Sequence, residues 1–489
     1  MKRIQFLCLL LITCFSPLAS ADNLSSIYQM AITNDPQWQA IVENYKAELE
    51  IKTQARSLLL PVVGAVYSKS RVTQDAPNIG VGTDPNLNTQ LQNCFDINNQ
   101  VTPDCNENVI NYILGGNSIL QLKENGTSKQ STTVDNLSLQ LTQPLFNLER
   151  WNQYKKSSFV KSKLDSEHEF ALQQFVLRVA EAYFNTLKAA EDLAFVKKEE
   201  LGIGEQLQRS RQRYDAGISG LSEVREAQGA YDRSRTAVLI AQTIYEGALE
   251  NLNSITNSQQ KNLAKLREDF PVTNPQPENE ENWVQQALRS NKKVLTSFHL
   301  DQAARQDVVE KNSRHAPTVD FIAGLSNIKT DNGKDAPLGS SGNLLSDTQR
   351  TTVGIQITVP LYTGGLVSSQ ARQASSRSHA AHASLAAEQR AAAALTRNTY
   401  RSVVNDVKRV ELAKKAVLSS QSALEATQSG YQAGTRNLFD ILQAQRSVFA
   451  ASRDYSGARY DYIMHSLRLK QISGSLSKTD LAILDDWLE

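Results

Sequence analysis

This 489-residue chain is poor in cysteine and histidine, lacks an excess of either charge, and has two long tracts without proline. Of its four cysteines, Cys8 and Cys14 fall in an N-terminal stretch that reads as a secretory signal spanning residues 1–21. Met1-Lys2-Arg3 supplies the basic start, Ile4 to Phe15 the apolar run, and Ala19-Ser20-Ala21 the small-residue cleavage site before Asp22. The apolar run is too short to cross a bilayer, and no cysteine stands at the cleavage point to carry a lipid. Cys94 and Cys105 remain, close together in a polar stretch of an exported chain, so a disulfide is expected there over two idle thiols. A formal net charge of +1 gives no electrostatic footprint for nucleic acid. No later apolar run reaches membrane-helix length, so hydropathy alone describes an exported soluble protein.

Catalytic constellations are also missing. The six histidines are scattered, and the one close pair, His379 and His382, sits at i, i+3 on an Ala-rich stretch without a further oriented ligand. No phosphate-binding loop, nucleophile elbow or zinc-protease motif is present. Acid pairs such as Glu199-Glu200 read as solvated helix faces, and Asn125-Gly126-Thr127 as a chance sequon. The expectation is a protein with no enzymatic activity, no metal and no cofactor.

The missing prolines mark what is present. None occurs between Pro144 and Pro271, and none after Pro360. Proline breaks helix interiors, so these tracts are free to form long helices. Their apolar residues recur at helical spacing, as at Phe175, Val179, Ala182, Tyr183 and Leu187, and at Val403, Val407, Val410 and Val417. The two tracts repeat one another. "YDAGISGLSEVREAQ" from Tyr214 recurs as "YQAGTRNLFDILQAQ" from Tyr431, and the offset of 217 holds from Tyr183/Tyr400 to Ile255/Ile472. A constant offset means equal helix lengths and matching turns. Each repeat is a helix, a turn at Ala-Gly (216–217 and 433–434) and a returning helix. The stretch from Asn147 to Gln212 would extend about 100 Å as a helix, a length that suits coiled-coil-like packing and not a compact globule.

A period of two precedes each helical tract. Leu137, Leu139 and Leu141 alternate with polar residues in Thr133–Leu145, and Val353, Ile355, Ile357 and Val359 do so in Thr352–Leu361. Partners start at Pro61 (Val63, Ala65, Tyr67) and at Pro317 (Val319, Phe321, Ala323, Leu325), joined by polar loops. Each half is therefore strand, polar loop, strand, long helix, turn, long helix. Two surface hairpins are the plain reading, but four strands leave open edges and an uncovered apolar face. A sheet in lipid must close on itself, and three copies would give twelve strands, an allowed barrel number.

The duplicated tips, "ARSLLLPVVG" (Ala55–Gly64), "LTQPLFN" (Leu141–Asn147), "VPLYTGG" (Val359–Gly365) and "ISGSLSKTDL" (Ile472–Leu481) together resemble the TolC family of outer-membrane factors. The resemblance covers essentially the whole mature chain, interrupted mainly by a long loop from about Gln74 to Gln130. It implies a mixed fold: a homotrimeric 12-stranded transmembrane β-barrel, four strands per chain, continuous with a 12-helix periplasmic α-barrel and a small equatorial α/β belt. The expected division is N-terminal helices at 22–60, a first β-hairpin at 61–147 and a first long helical hairpin at 148–256. An equatorial segment (257–290), a helix (291–316), a second β-hairpin (317–363), a second helical hairpin (364–474) and a C-terminal equatorial segment (475–489) follow. The function implied is a passive exit duct for efflux or type I secretion, set in membrane lipid and extending into the periplasm. Its partners would be a periplasmic adaptor and an inner-membrane transporter of the RND, ABC or MFS type. The alternative is a periplasmic or cell-surface coiled-coil structural protein.

Resemblance also assigns the tips. A periplasmic gate would join Tyr431 and Arg436 of the second repeat to Ser222 and Glu223 of the first, by links worth only about 0.2–1 kcal/mol each. Asp440 matches the first of two family aspartates facing the lumen constriction, but Gln443 occupies the second position, so the mouth would carry one carboxylate ring. Ala216, Gly217, Ile218, Ala433, Gly434 and Thr435 would be the adaptor-docking turns. Read from the residues alone, Glu223 and Asp440 complement helix dipoles, Ser219 and Thr435 serve as N-caps, and the glycines make turns.

Overall fold

The computed structural model describes residues 22–82, 121–260, 262–331 and 345–489. The signal stretch and the Cys94/Cys105 pair lie outside the described residues. The described residues fall into two compact units, the first within 1–55, 152–313 and 364–489 and the second within 56–151 and 314–363.

The second unit is an antiparallel sheet in the order β1-β2-β3-β4, with β1 at Val62–Gly82, β2 at Gln121–Phe146, β3 at Thr318–Asp331 and β4 at Leu345–Thr358. All four strands run beyond the alternating apolar stretches at their polar ends. The loop expected from about Gln74 is strand as far as Gly82, and β2 begins at Gln121. The physical reason is that cross-strand pairs of opposite charge also support a ladder: Lys329 faces Asp347, and the register sets Asp75 opposite Lys129. Register then sorts the faces. Val63–Leu141–Ala323–Val353 and Ala65–Leu139–Leu325–Thr351 are cross-strand rows, so all four strands contribute apolar residues to one face, although Val62, Val66 and Ile322 fall on the opposite face. Gln140, Ser138, Gly324 and Thr352 take the other. That apolar face is open: Val353 is 67% and Ile355 64% exposed in the chain. Among the described residues, strands β1 and β4 each have one edge without a partner.

The first unit is helical. Short α1 (Leu24–Asn34) and α2 (Pro36–Ser57) precede α3 (Leu148–Asp215), a helix of 68 residues. Its returning partner is α4 (Leu221–Thr256). After α5 (Glu280–Ser290) and α6 (Lys292–Asn312), the pattern repeats as α7 (Leu366–Gln432, 67 residues) and α8 (Leu438–Ile472), closed by α9 (Lys478–Asp485). The seam of α7 shows why such length is stable. Its buried positions Val367, Ala374, Ser378, Leu385, Ala392, Thr396, Thr399, Val403, Asp406 and Val410 step by three, four or seven, the spacing of a coiled-coil face made of small residues.

The largest core lies where the short elements meet the long ones. Leu24, Ile27, Phe175, Tyr183, Phe184, Leu252, Tyr460, Ile463 and Leu481 pack together there. Bridges Asp22–Leu263 and Leu266–Leu488 stitch the chain ends to the segment after α4. Among the described residues no helix is long and apolar enough to cross a membrane.

Candidate functional site

The two Ala-Gly turns are the same structure built twice. At the first, the amide of Gly217 donates to Tyr214 and that of Ile218 to Arg213. At the second, Gly434 donates to Tyr431 and Thr435 to Gly430. Each pattern is a Schellman end, which requires a left-handed residue, and Gly217 and Gly434 supply it at φ +73° and +78°. All six turn residues, Ala216, Gly217, Ile218, Ala433, Gly434 and Thr435, are exposed.

The returning helices start differently from expectation. The N-caps are Gly220 and Asn437, one residue after Ser219 and two after Thr435. Thr435 instead turns its hydroxyl back to the carbonyl of Gly430. Gly220 offers no side chain to cap with. Asn437 makes a full box with Asp440: the Asn437 side chain accepts from the Asp440 amide at 2.9 Å, and the Asp440 carboxylate accepts from the Asn437 amide at 3.1 Å. Glu223, the equivalent of Asp440, lies in the first turn of α4, and its Oε2 is buried without a hydrogen bond. Gln443 is exposed one turn beyond Asp440.

Between the hairpins lies a small core of Ile203, Leu207, Ala227, Ala230, Leu438 and Leu442, with Val224, Tyr231 and Tyr431 packed against it. Tyr431 crosses from the second hairpin to the first. The Arg213 guanidinium stands over its ring at 5.0 Å. Burial pushes the Tyr431 hydroxyl's pKa up, the nearby Glu223 carboxylate adds to that, and Arg213 opposes it. Glu223 is near enough to act on Tyr431 electrostatically, but among the described residues no hydrogen bond joins the two. Arg436 is not brought to them: its side chain is exposed and its stem passes Gly430, where an added Cβ would meet it at 2.8 Å. Among the described residues no hydrogen bond joins Arg436 to Ser222 or Glu223 within the chain. Beside Tyr431 a groove of about 370 Å³ opens, lined by Arg209, Arg213, Gln428 and Ile218 among others.

Sequence reasoning passed over Arg213. The signal was a difference between the aligned copies: Arg213 and Gly430 occupy one repeat position, and Ser219 and Arg436 another. Each hairpin carries one arginine at its turn, but on opposite sides of it.

An antiparallel sheet with an open apolar face, together with paired helical hairpins of 67–68-residue helices ending in matched glycine turns, defines a membrane-channel class of fold. Likeness to CusC, whose crystal structures concern transmembrane channel formation, gives a TM-score of 0.71 at 13% identity, covering 93% of this chain and 92% of that one. Sequence comparison goes further. The outer membrane efflux protein family profile matches residues 27–258 and 283–475, and the chain belongs to that family. It is 27% identical to the outer membrane protein TolC of Escherichia coli over 97% of this chain and 86% of that protein. It is 23% identical to the alkaline protease secretion protein AprF of Pseudomonas aeruginosa, over 94% and 85% respectively. The protein is thus an outer-membrane exit duct and not an enzyme, and the structural-scaffold alternative falls with the family match.

Proposed function

We propose that three copies of this chain close their sheets into a twelve-stranded barrel and join their helical hairpins into one periplasmic tube, gated at the hairpin tips. The observation that carries this reading is the sheet itself, with its unpaired β1 and β4 edges and its open apolar face. Unsatisfied edges are not tolerated in lipid, and four strands cannot close alone. Mass measurement of the detergent-extracted outer-membrane protein tests it: a trimer is expected, and a stable monomer overturns it.

The duct works passively. A periplasmic adaptor docks at the exposed turns 216–218 and 433–435 and opens the gate formed by Tyr431, Arg436, Ser222 and Glu223. An inner-membrane transporter, of the RND, ABC or MFS type, supplies the energy. Asp440 and Gln443 line the constriction, where one carboxylate per chain gives a ring of three. The proposed division keeps 257–290 and 475–489 as an equatorial belt, and 1–21 as the signal removed on export. Efflux and protein secretion make the same demands on pore and tip. Deleting the gene and measuring drug susceptibility beside the exported proteome distinguishes the cargoes.

A further inference from the structure

Among the described residues, several polar atoms near the tips are buried without partners: Arg213 Nε, Glu223 Oε2, Ser219 Oγ, Ser210 Oγ and Gln445 Oε1. Two of them belong to opposite charges on the first hairpin, and both of those charges act on one group of the second, Tyr431. An unpaired buried polar atom is costly, so each of these calls for an explanation.

We propose that Arg213 is a gating residue, clasping the Tyr431 ring and so holding the second hairpin shut against the first. The proposal rests on the gate reading given above and adds to it a contact within one chain. Three features support it. The guanidinium lies over the ring face at 5.0 Å, a cation–π geometry. Tyr431 is the aromatic that the second hairpin sends against the Ile203–Leu207–Leu438–Leu442 core. Arg213 also sits at the C3 position of the first turn, because Ile218 bonds its carbonyl, so any movement of that turn moves the clasp. At the equivalent place in the second repeat stands Gly430, which leaves room for the Arg436 stem. The clasp is therefore one-directional, first hairpin onto second.

Cation–π contact depends on the ring and not on its hydroxyl. Tyr431→Phe keeps the ring and should raise the closed conductance in planar bilayers less than a variant without the ring. Tyr431→Leu removes it and should raise conductance. Arg213→Gln should raise closed-state conductance by about two- to fivefold, the factor carried by one half-exposed contact of this kind. Arg213→Lys should restore most of the closure, and thermal melting of the trimer should stay unchanged, which separates a clasp from a fold-supporting role. If Tyr431→Leu opens the channel while Arg213→Gln does not, the Arg213 assignment falls and the gate stands. If neither changes conductance, the gate reading fails with it. Should Arg213→Gln not reach the membrane, Arg213→Lys against Tyr431→Leu decides, and equal opening by both overturns the clasp.

Discussion

Asn437 and Asp440 cap each other at the start of α8, each side chain taking the other's backbone amide. The carboxylate proposed for the lumen ring is thus also a structural group, and charge and cap can be separated by substitution. Asp440→Asn removes the charge and keeps an acceptor oxygen, so cation preference should fall while the melting temperature barely moves. Asp440→Ala removes both, and should lose in addition about 1 kcal/mol of helix stability. Reversal potentials in asymmetric salt, read beside thermal melts, check both. Unchanged selectivity in Asp440→Asn places the ring away from the constriction.

The tip gate gives a second expectation. Arg436 is exposed and makes no hydrogen bond to Ser222 or Glu223 among the described residues; on the trimeric gate proposed above it would reach partners on a neighbouring copy. Tyr431→Phe combined with Arg436→Ser should raise single-channel conductance, with most of the effect carried by Arg436→Ser. An unaltered closed state in the double variant sinks the latch.

Much of this was legible because repetition makes a sequence its own reference. The 217 offset placed both glycine turns, and both are Schellman ends with glycine at positive φ. Period-two runs placed the four strands, since their apolar faces are set by register. The strand ends were not legible, because ladder pairing beyond the apolar band uses polar pairs such as Lys329–Asp347, which look like loop. The caps were misread for a local reason: Ser219 and Thr435 are good capping residues, but the Schellman hydrogen bonds already occupy those positions, pushing the caps on to Gly220 and Asn437. Arg213 was missed because a contact between hairpins leaves no spacing signal in either one.

A histidine between α7 and α8 predicts pH dependence. His465 Nδ1 lies 2.6 Å from the buried Asp406 carboxylate. That hydrogen bond, with the Asp406 and Asp461 charges, lifts the imidazole's pKa against burial and Arg468. A folded-state pKa above the unfolded value of about 6.5 means the contribution is full below that value and is lost as pH rises through the folded pKa. Wild-type protein should therefore progressively lose its melting advantage over His465→Gln as pH is raised from about 6.5. A constant difference across that range removes the imidazolium from the account.

Gly474 follows α8 at φ +76°, and a Cβ there would come within 2.1 Å of the Ser290 carbonyl oxygen at the end of α5. Nothing flexible can yield, because the neighbour is backbone. Gly474→Ala should destabilise by about 2 kcal/mol or more. Gly64, with nothing within 4 Å of its added Cβ, should accept alanine freely. Paired melting curves test the contrast.

The two faces of the sheet give the last expectation. Leu139 pairs with Ala65 and Leu325 on the apolar face, and Gln140 with Gly64 and Gly324 on the polar one, one residue apart on the same strand. A charge on a lipid-facing barrel position costs about 2–4 kcal/mol at mid-membrane, while lumen positions tune selectivity. Leu139→Arg should therefore fail to assemble in the outer membrane, and Gln140→Arg should assemble and shift selectivity toward anions. Because side chains alternate strictly along a strand, equal tolerance of both substitutions would mean that this sheet does not face lipid on one side and a pore on the other.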